Sequence, residues 1–328
     1  MQIIIDTTDT AITVKNKCFF FQNKTTNRQI SPKRISSIAI TSNCTLNAAV
    51  IKLAANHQVP ILFFNNFGTI QARMYSPYFV NLAQLRKKQL LFAMSPMATD
   101  WVIEILKKKT TRQIMNLQRL GKRKPKHQAA VSWSVEKIER IISQTSEIQN
   151  MKITEIRNTL MGYEGSISRQ YFQTLNLFLP DLFKFEKRSR RPGLDFFNAG
   201  LNYLYGMTYS VVEGGVFAKG FDPSIGILHV DSFKKPTLVF DLIEPIRPLV
   251  DSMLIDLILE NRLAPDDFIK KDQGFWVSKK GKRIIINSFN DFINTRIKIN
   301  KSTKRLKDHI YEESNELGNI IEALTELP

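Results

Sequence analysis

The spacing of apolar residues changes its period near Pro77, and that change decides what this chain can build. From Met1 to about Ser76 the apolar residues come in short β-branched and aromatic stretches: Gln2 to Ile5, Ala11 to Phe21, Ile35 to Ile40 and Val59 to Phe64. Their length and composition are those of strands. One helix is expected among them, Leu46 to about Asn56, with Thr45 as its N-cap. Val59 to Phe64 and Ile70 to Tyr75 flank Asn65, Asn66 and Gly68, a hairpin signal. Beyond Pro77 the period lengthens to that of helices. These run from near Asn81 to Ile148, divided at Pro96 and Pro125, then over Ile153 to Met161, Glu164 to Leu177, Asp195 to about Lys219 and Pro245 to Glu260. A hairpin of Gly274 to Val277 with Arg283 to Ile286, joined through Lys279, Lys280 and Gly281, is expected before a charged helical tail. The fold class is therefore α+β: a small β-rich domain over residues 1–78, then a larger, mainly α-helical domain over residues 79–328, a division that suits 328 residues.

Charge narrows the partners. Forty-seven Lys and Arg against thirty Asp and Glu give a formal charge of +17, which points to a polyanion. Nucleic acid is favoured over an anionic membrane, because no apolar run approaches the roughly 18 residues that span a bilayer and no amphipathic anchor stands out. Between Lys107 and Lys126 lie nine cations and no acid: Lys107, Lys108, Lys109, Arg112, Arg119, Lys122, Arg123, Lys124 and Lys126. A solvated helix face usually mixes signs to gain i to i+4 pairs, whereas a single-sign run repels itself unless phosphates neutralise it. A bland solvated face remains the alternative. Further basic runs at Lys184 to Arg191, Lys279 to Arg283 and Lys298 to Lys307 suggest an extended DNA track. Neutralising about six phosphates would give a log affinity against log salt slope of about −5 on duplex DNA. The two cysteines, Cys18 and Cys44, sit in strand-like surroundings without metal-binding company, and the N-terminus lacks a signal peptide's basic flank and cleavage site. A reducing cytoplasm is expected.

The chemistry has few candidates. Of the four histidines, His57 closes an apolar helix, while His127 and His309 lie in charged segments and read as solvated. His229 ends the apolar, strand-like step Gly226-Ile-Leu-His229, and twelve and fifteen residues on, in Phe240-Asp241-Leu-Ile-Glu244-Pro245-Ile-Arg247-Pro248, come two carboxylates near a helix start. Upstream, Met161-Gly-Tyr-Glu164-Gly165-Ser-Ile-Ser-Arg169-Gln-Tyr171-Phe172 sets Glu164 between glycines in an aromatic segment, where an acid needs a partner. Two hard oxygens and one imidazole from Glu164, His229 and Glu244 suit Mg²⁺ or Mn²⁺ with open water positions better than structural zinc. Such an ion serves phosphodiester chemistry. Spacing alone leaves a packed structural role open for each of them.

Taken together the segments resemble the CRISPR-associated protein one family, the integrase and endonuclease of spacer acquisition. The resemblance is carried by Gly162-Tyr-Glu164-Gly165 with Tyr171-Phe172, by Asn198-Ala-Gly-Leu-Asn202-Tyr203-Leu-Tyr205, by Gly220-Phe-Asp222-Pro223-Ser-Ile-Gly226-Ile-Leu-His229, and by Asp241-Leu-Ile-Glu244-Pro-Ile-Arg247-Pro-Leu-Val-Asp251. The N-terminal domain looks like that family's dimer-forming β-sandwich. The resemblance implies a homodimer through the β domains, and two such dimers bridged by a dimer of the small CRISPR-associated protein two. It also implies one metal per site on Glu164, His229 and Glu244, with Asp241 close behind the ligands. The reaction implied is metal-dependent transesterification, a prespacer 3′-hydroxyl attacking repeat-end phosphodiesters, with hydrolysis at the same centre. Asn202 and Tyr205, one turn apart, are candidates to face the pocket, although that stripe also suits a core. Arg169, Arg190 and Arg191 are candidate phosphate contacts beside the site, joined by Lys107, Lys108, Lys109, Arg112, Lys122, Arg123 and Lys124 from the long basic segment. A transposon-type integrase with the same centre, or a basic scaffold that only holds DNA, are the rival expectations.

Overall fold

A computed structural model describes the chain except residues 36, 65–69, 75–81, 191, 230–234, 300–301 and 325–328. The chain forms two compact units, Met1–Val80 and Asn81–Pro328.

The first unit holds β1 (Gln2–Ile5), β2 (Thr10–Lys15), β3 (Cys18–Gln22), β4 (Asn27–Ile30), β5 (Ser37–Ile40), β6 (Cys44–Leu46), α1 (Ala48–Asn56), β7 (Ile61–Phe64) and β8 (Ile70–Met74). They make two four-stranded sheets, ordered β1-β5-β7-β8 and β4-β3-β2-β6. Ile12, Phe19, Ile38, Val50 and Ile61 form the centre of their shared apolar core, all at most 1% exposed. The single stretch expected over Ala11 to Phe21 is in fact a hairpin. Asn16 and Lys17 adopt φ of 49° and 58°, the left-handed pair that a two-residue turn between twisted strands needs. The helix starts at Ala48 and not Leu46, because the Asn47 side chain, not Thr45, accepts from the Val50 N–H at 3.1 Å. The expected turn at Asn65, Asn66 and Gly68 lies outside the described residues.

The second unit begins with α2 (Leu82–Met94), α3 (Pro96–Arg123), α4 (Gln128–Ser143) and α5 (Ile153–Asn176). Pro96 and Pro125 fall at element starts, where the missing N–H costs nothing. The two helices expected on either side of Gly162 are one, since Gly162 and Gly165 lower helix propensity by only about 1 kcal/mol each and packing overrides that. Next come α6 (Phe196–Lys219), α7 (Thr237–Leu242) and α8 (Arg247–Leu259). The last begins two residues later than Pro245, with Pro248 in its first turn. Gly226 to His229, expected to be strand-like, forms a bend. α6 is the central helix, packed against α7, α8 and the last helix, Leu306–Glu322.

The remainder is β9 (Phe268–Lys271), β10 (Gly274–Val277), α9 (Lys279–Asn294), β11 (Arg296–Ile299), β12 (Ser302–Arg305) and α10 (Leu306–Glu322). The hairpin expected between Gly274–Val277 and Arg283–Ile286 is overturned: β10 pairs with β9, and residues 283–286 are helical. Ser278 caps that helix by accepting from the Gly281 N–H, and Ile285, Phe289 and Ile293 bury one face at four-residue spacing. His309, expected in solvent, is 7% exposed and sits 3.1 Å from the Ile297 carbonyl oxygen. Among the described residues no helix is long and apolar enough to cross a membrane.

Candidate active site

Four elements of the second unit converge on one pocket: α3 brings Lys109, α5 brings Glu164, the bend before α7 brings His229, and the turn between α7 and α8 brings Glu244. Glu164 is one turn before Ser168 on α5, and the Ser168 hydroxyl donates to its Oε1 at 2.7 Å. Glu244 is 5% exposed. Arg247, three residues on, places Nε 3.0 Å from Glu244 Oε1, and Lys109 Nζ donates to Oε2 at 2.7 Å. The same ammonium also donates to Glu164 Oε1. One cation therefore holds two carboxylates far apart in sequence, one from a helix and one from a turn.

The titration of these groups follows from that pairing. Burial alone would raise the Glu244 carboxyl, yet Arg247 and Lys109 bring it down to about 2. Burial opposes Glu164 ionisation too, and Lys109 more than offsets it, so this carboxyl also stays below its ordinary range. Lys109 is pushed down by burial and more strongly up by Glu244 and Glu164. Both acids are anions, and the lysine a cation, at neutral pH.

His229 is aimed by Asp241, which is 2% exposed. The Asp241 carboxylate accepts the backbone N–H groups of Ile227 (2.7 Å), Leu228 (3.2 Å) and His229 (3.1 Å) and lies 2.7 Å from His229 Nδ1. An acceptor there makes Nδ1 the protonated nitrogen and leaves the Nε2 lone pair for a ligand. Gly226 is needed to close this bend, since a Cβ on it would stand 2.6 Å from Thr237 Cβ and 2.7 Å from the His229 carbonyl oxygen.

Among the described residues no three His, Cys, Asp or Glu side chains are gathered closely enough to hold a metal ion as they stand. The Lys109 ammonium lies between the two acids, paired with both. The chemistry of the donors nevertheless fits a hard divalent ion, because two ionised carboxylates already share one small cation and an imidazole lines the same pocket.

Residues 3–291 match the family model described as CRISPR associated protein Cas1. The chain belongs to the Cas1 family. Among curated Cas1 relatives, the CRISPR-associated endonuclease Cas1 1 of Archaeoglobus fulgidus is 26% identical over 280 residues, which is 82% of this chain and 81% of the relative. The CRISPR-associated endonuclease Cas1 of Fusobacterium nucleatum is 23% identical, covering 84% of this chain and 79% of its own. Among solved structures, a Cas1 protein from Thermotoga maritima superposes with a TM-score of 0.82 at 19% identity, over 100% of this chain and 99% of that one. A casposase bound to integration product gives the same TM-score at 21% identity, over 99% and 91%. At those identities the two structures establish a shared Cas1 fold.

The residues expected on a DNA surface divide. Lys109 is 5% exposed and belongs to the pocket, not to a basic face. Arg112 donates to the Pro245 carbonyl at 2.5 Å, and Lys108 pairs with Glu313 and Glu316 at 2.8 and 2.9 Å. Lys107 pairs with Glu104, Arg123 with Asp256, and Lys124 donates to the Phe178 carbonyl. Several cations of the run that has no acid in sequence are thus met by acids from other elements. Lys122, Arg169 and Arg190 are exposed, and Arg190 lines the pocket. Arg191 lies outside the described residues. Asn202 and Tyr205 do not reach Glu164 or Glu244: Asn202 accepts from Arg188 at 3.0 Å, and the Tyr205 hydroxyl donates to Asp251 at 2.5 Å. Lys109, Arg188, Arg247 and Asp251 are the pocket residues that sequence reasoning gave no such role. Only Arg247 carried a local signal, an opposite charge three residues from Glu244.

Proposed function

We propose that this Cas1-family chain is a metal-dependent DNA integrase and endonuclease, joining a DNA 3′-end to a phosphodiester with Mg²⁺ or Mn²⁺ held by Glu164, His229 and Glu244. The observation that carries this reading is a buried and a half-buried carboxylate, both ionised, drawn onto one cation beside an imidazole whose tautomer is fixed by Asp241. In transesterification the attacking 3′-oxygen bonds to phosphorus as the target strand's P–O3′ bond breaks, so one phosphodiester replaces another. The chemistry a bound divalent ion supplies is neutralisation of charge on the phosphoryl oxygens and a lowered pKa for the attacking hydroxyl.

The chain's own residues do the rest. Arg247 keeps Glu244 ionised and fixed in direction, and Ser168 does the same for Glu164. Asp241 keeps the imidazole from turning its protonated nitrogen to the ligand side. Lys109 has to leave the space between the acids, and a DNA phosphate is the natural new partner for its ammonium.

Double-stranded DNA as substrate fits the excess of 17 positive charges and the casposase described as bound to integration product. Assembly as a homodimer with CRISPR-associated protein two fits the fold shared with a Cas6-RT-Cas1–Cas2 complex, at a TM-score of 0.77, 24% identity and coverage of 98% of this chain and 35% of that one. Glu164→Ala tests the reading: strand transfer is expected to vanish while DNA binding stays within about twofold, since the substituted group is a proposed ligand and not a phosphate contact. Surviving transfer would overturn it.

A further inference from the structure

Three arginines line the pocket, Arg188, Arg190 and Arg247, and the two whose guanidiniums lie over the Tyr205 ring differ in their partners. Arg247 is paired with Glu244. Arg188 makes only neutral contacts among the described residues: Nη1 donates to Asn198 Oδ1 and to the Ser189 carbonyl at 3.1 Å, and Nη2 donates to Asn202 Oδ1 at 3.0 Å. Its plane lies over the rings of Phe172 and Tyr205, with centroids 5.8 and 5.7 Å away. Tyr205 also has the Arg247 guanidinium over its ring, 4.7 Å from its centroid.

This is a built cradle. Asn198 is held by donating to the Lys187 carbonyl at 2.9 Å and to Asp195 Oδ2 at 2.5 Å, while Asp195 caps α6 by accepting the Asn198 N–H at 2.7 Å. Asn202, one turn on, donates to the Ser189 carbonyl at 3.1 Å. The amide oxygens of both are thereby turned to Arg188. The carboxylate closest in influence, Asp251, is not ion-paired with it; its Oδ1 is taken by the Tyr205 hydroxyl. Burial lowers the guanidinium pKa of Arg188 without bringing it near neutrality in chemical terms, since an arginine stays charged in proteins. Enclosing a cation among neutral groups is costly unless an anion completes the site. The pocket opens on Glu164, His229 and Glu244, and Arg190 stands at its wall.

We infer that Arg188 is a phosphate-binding residue of this pocket, its guanidinium donating to a non-bridging oxygen of the DNA phosphodiester held beside Glu164 and His229. Asn198 and Asn202 are its positioning residues. The inference rests on the proposed reading of the pocket as a phosphodiester site, and it adds which side chain grips the substrate. The planar fork and aromatic stacking suit a phosphate oxygen better than an ammonium would.

The test is binding of branched DNA to the full chain in chelator, where no chemistry intervenes, using a series of substrates with one methylphosphonate each in place of a phosphate near the branch. Wild type is expected to weaken by about tenfold at one position, the value of one charge-assisted contact, and Arg188→Gln to be insensitive at that position while keeping the wild-type response elsewhere. The salt slope of Arg188→Gln is expected to be shallower by about 0.9, one phosphate fewer. Arg188→Lys, which keeps the charge and loses the fork, should recover part of the affinity, and Asn202→Ala should lie between. A thermal melt checks that each variant is folded. Should Arg188→Gln unfold, Arg188→Lys and Asn202→Ala carry the same methylphosphonate comparison. Equal sensitivity of wild type and folded variants at every position overturns the inference. Wild type that binds branched DNA but never transfers strands with divalent metal would instead sink the proposed reaction.

Discussion

Lys109 donates to Glu244 at 2.7 Å with its other side on Glu164, so a lysine three positions into a basic run is the counter-charge of two acids 55 and 135 residues away. The three groups form one unit, Lys109 and Glu244 buried and Glu164 half-buried, in which each charge is tolerated because of the others. Lys109→Met removes the cation and keeps the bulk. In chelator the variant is expected to lose about 3–5 kcal/mol, the cost of stranding buried charge. Added Mn²⁺ should restore more of the melting temperature in the variant than in wild type, because the ion no longer competes with an ammonium. Identical melting curves in chelator and Mn²⁺ for both proteins would contradict the pairing.

Asp241→Asn probes how His229 is aimed. The amide can still accept one or two of the three backbone N–H groups, but it no longer requires the proton on Nδ1. Mn²⁺ affinity by calorimetry is expected to fall about 10- to 100-fold, the usual loss when the partner behind a metal-ligating histidine is removed. A change under twofold would mean that the carboxylate only holds the bend.

Gly226→Ala tests the bend itself. The added methyl has to displace either Thr237 or the His229 backbone, a clash worth about 1–3 kcal/mol of stability. Strand transfer should fall further than the melting temperature explains, since the displaced backbone carries His229. Wild-type stability and activity in the variant would show that the approach is looser than its distances.

Asp251 gives a pH dependence with a definite sign. Burial raises its carboxyl to about 6 in spite of the Tyr205 hydroxyl and nearby guanidiniums. A carboxyl whose folded pKa lies above its unfolded value near 4 binds its proton more tightly when folded. Its contribution is therefore fully present below about pH 4 and is lost as pH rises to about 6, by roughly 2–3 kcal/mol for a shift of about two units. Asp251→Asn should lack this decline, so the stability difference between the variant and wild type should grow in the variant's favour from pH 4 to 7. A difference independent of pH would place the Asp251 titration in its ordinary range.

Most elements could be read from the sequence because their periods differ: β-branched pairs before Pro77, heptad-like apolar spacing after it. The misses have local physical causes. Asn16 and Lys17 form a left-handed turn without a glycine, so two strands looked like one. Gly162 and Gly165 looked like a break, but packing of Leu160, Ile167 and Tyr171 carries the helix through them. Ser278 was the overlooked cap that turned an expected strand into a helix. In the site, Glu164, His229, Asp241 and Glu244 were visible through their motifs. Lys109 was not, because a run of like charge says nothing about acids that tertiary structure brings to it. Tyr205 lines the pocket as its place one turn from Asn202 suggested, with its hydroxyl on Asp251, whereas Asn202 is not part of the lining and touches Arg188.

The most direct test is a strand-transfer assay on branched DNA, run with Mn²⁺, with Mg²⁺ and with chelator, on wild type and His229→Ala. Transfer by wild type with a divalent ion, none in chelator, and a loss of at least about a hundredfold in His229→Ala are expected for an imidazole ligand of the reacting centre. Equal transfer in chelator, or an unimpaired His229→Ala, would contradict a metal centre built on Glu164, His229 and Glu244.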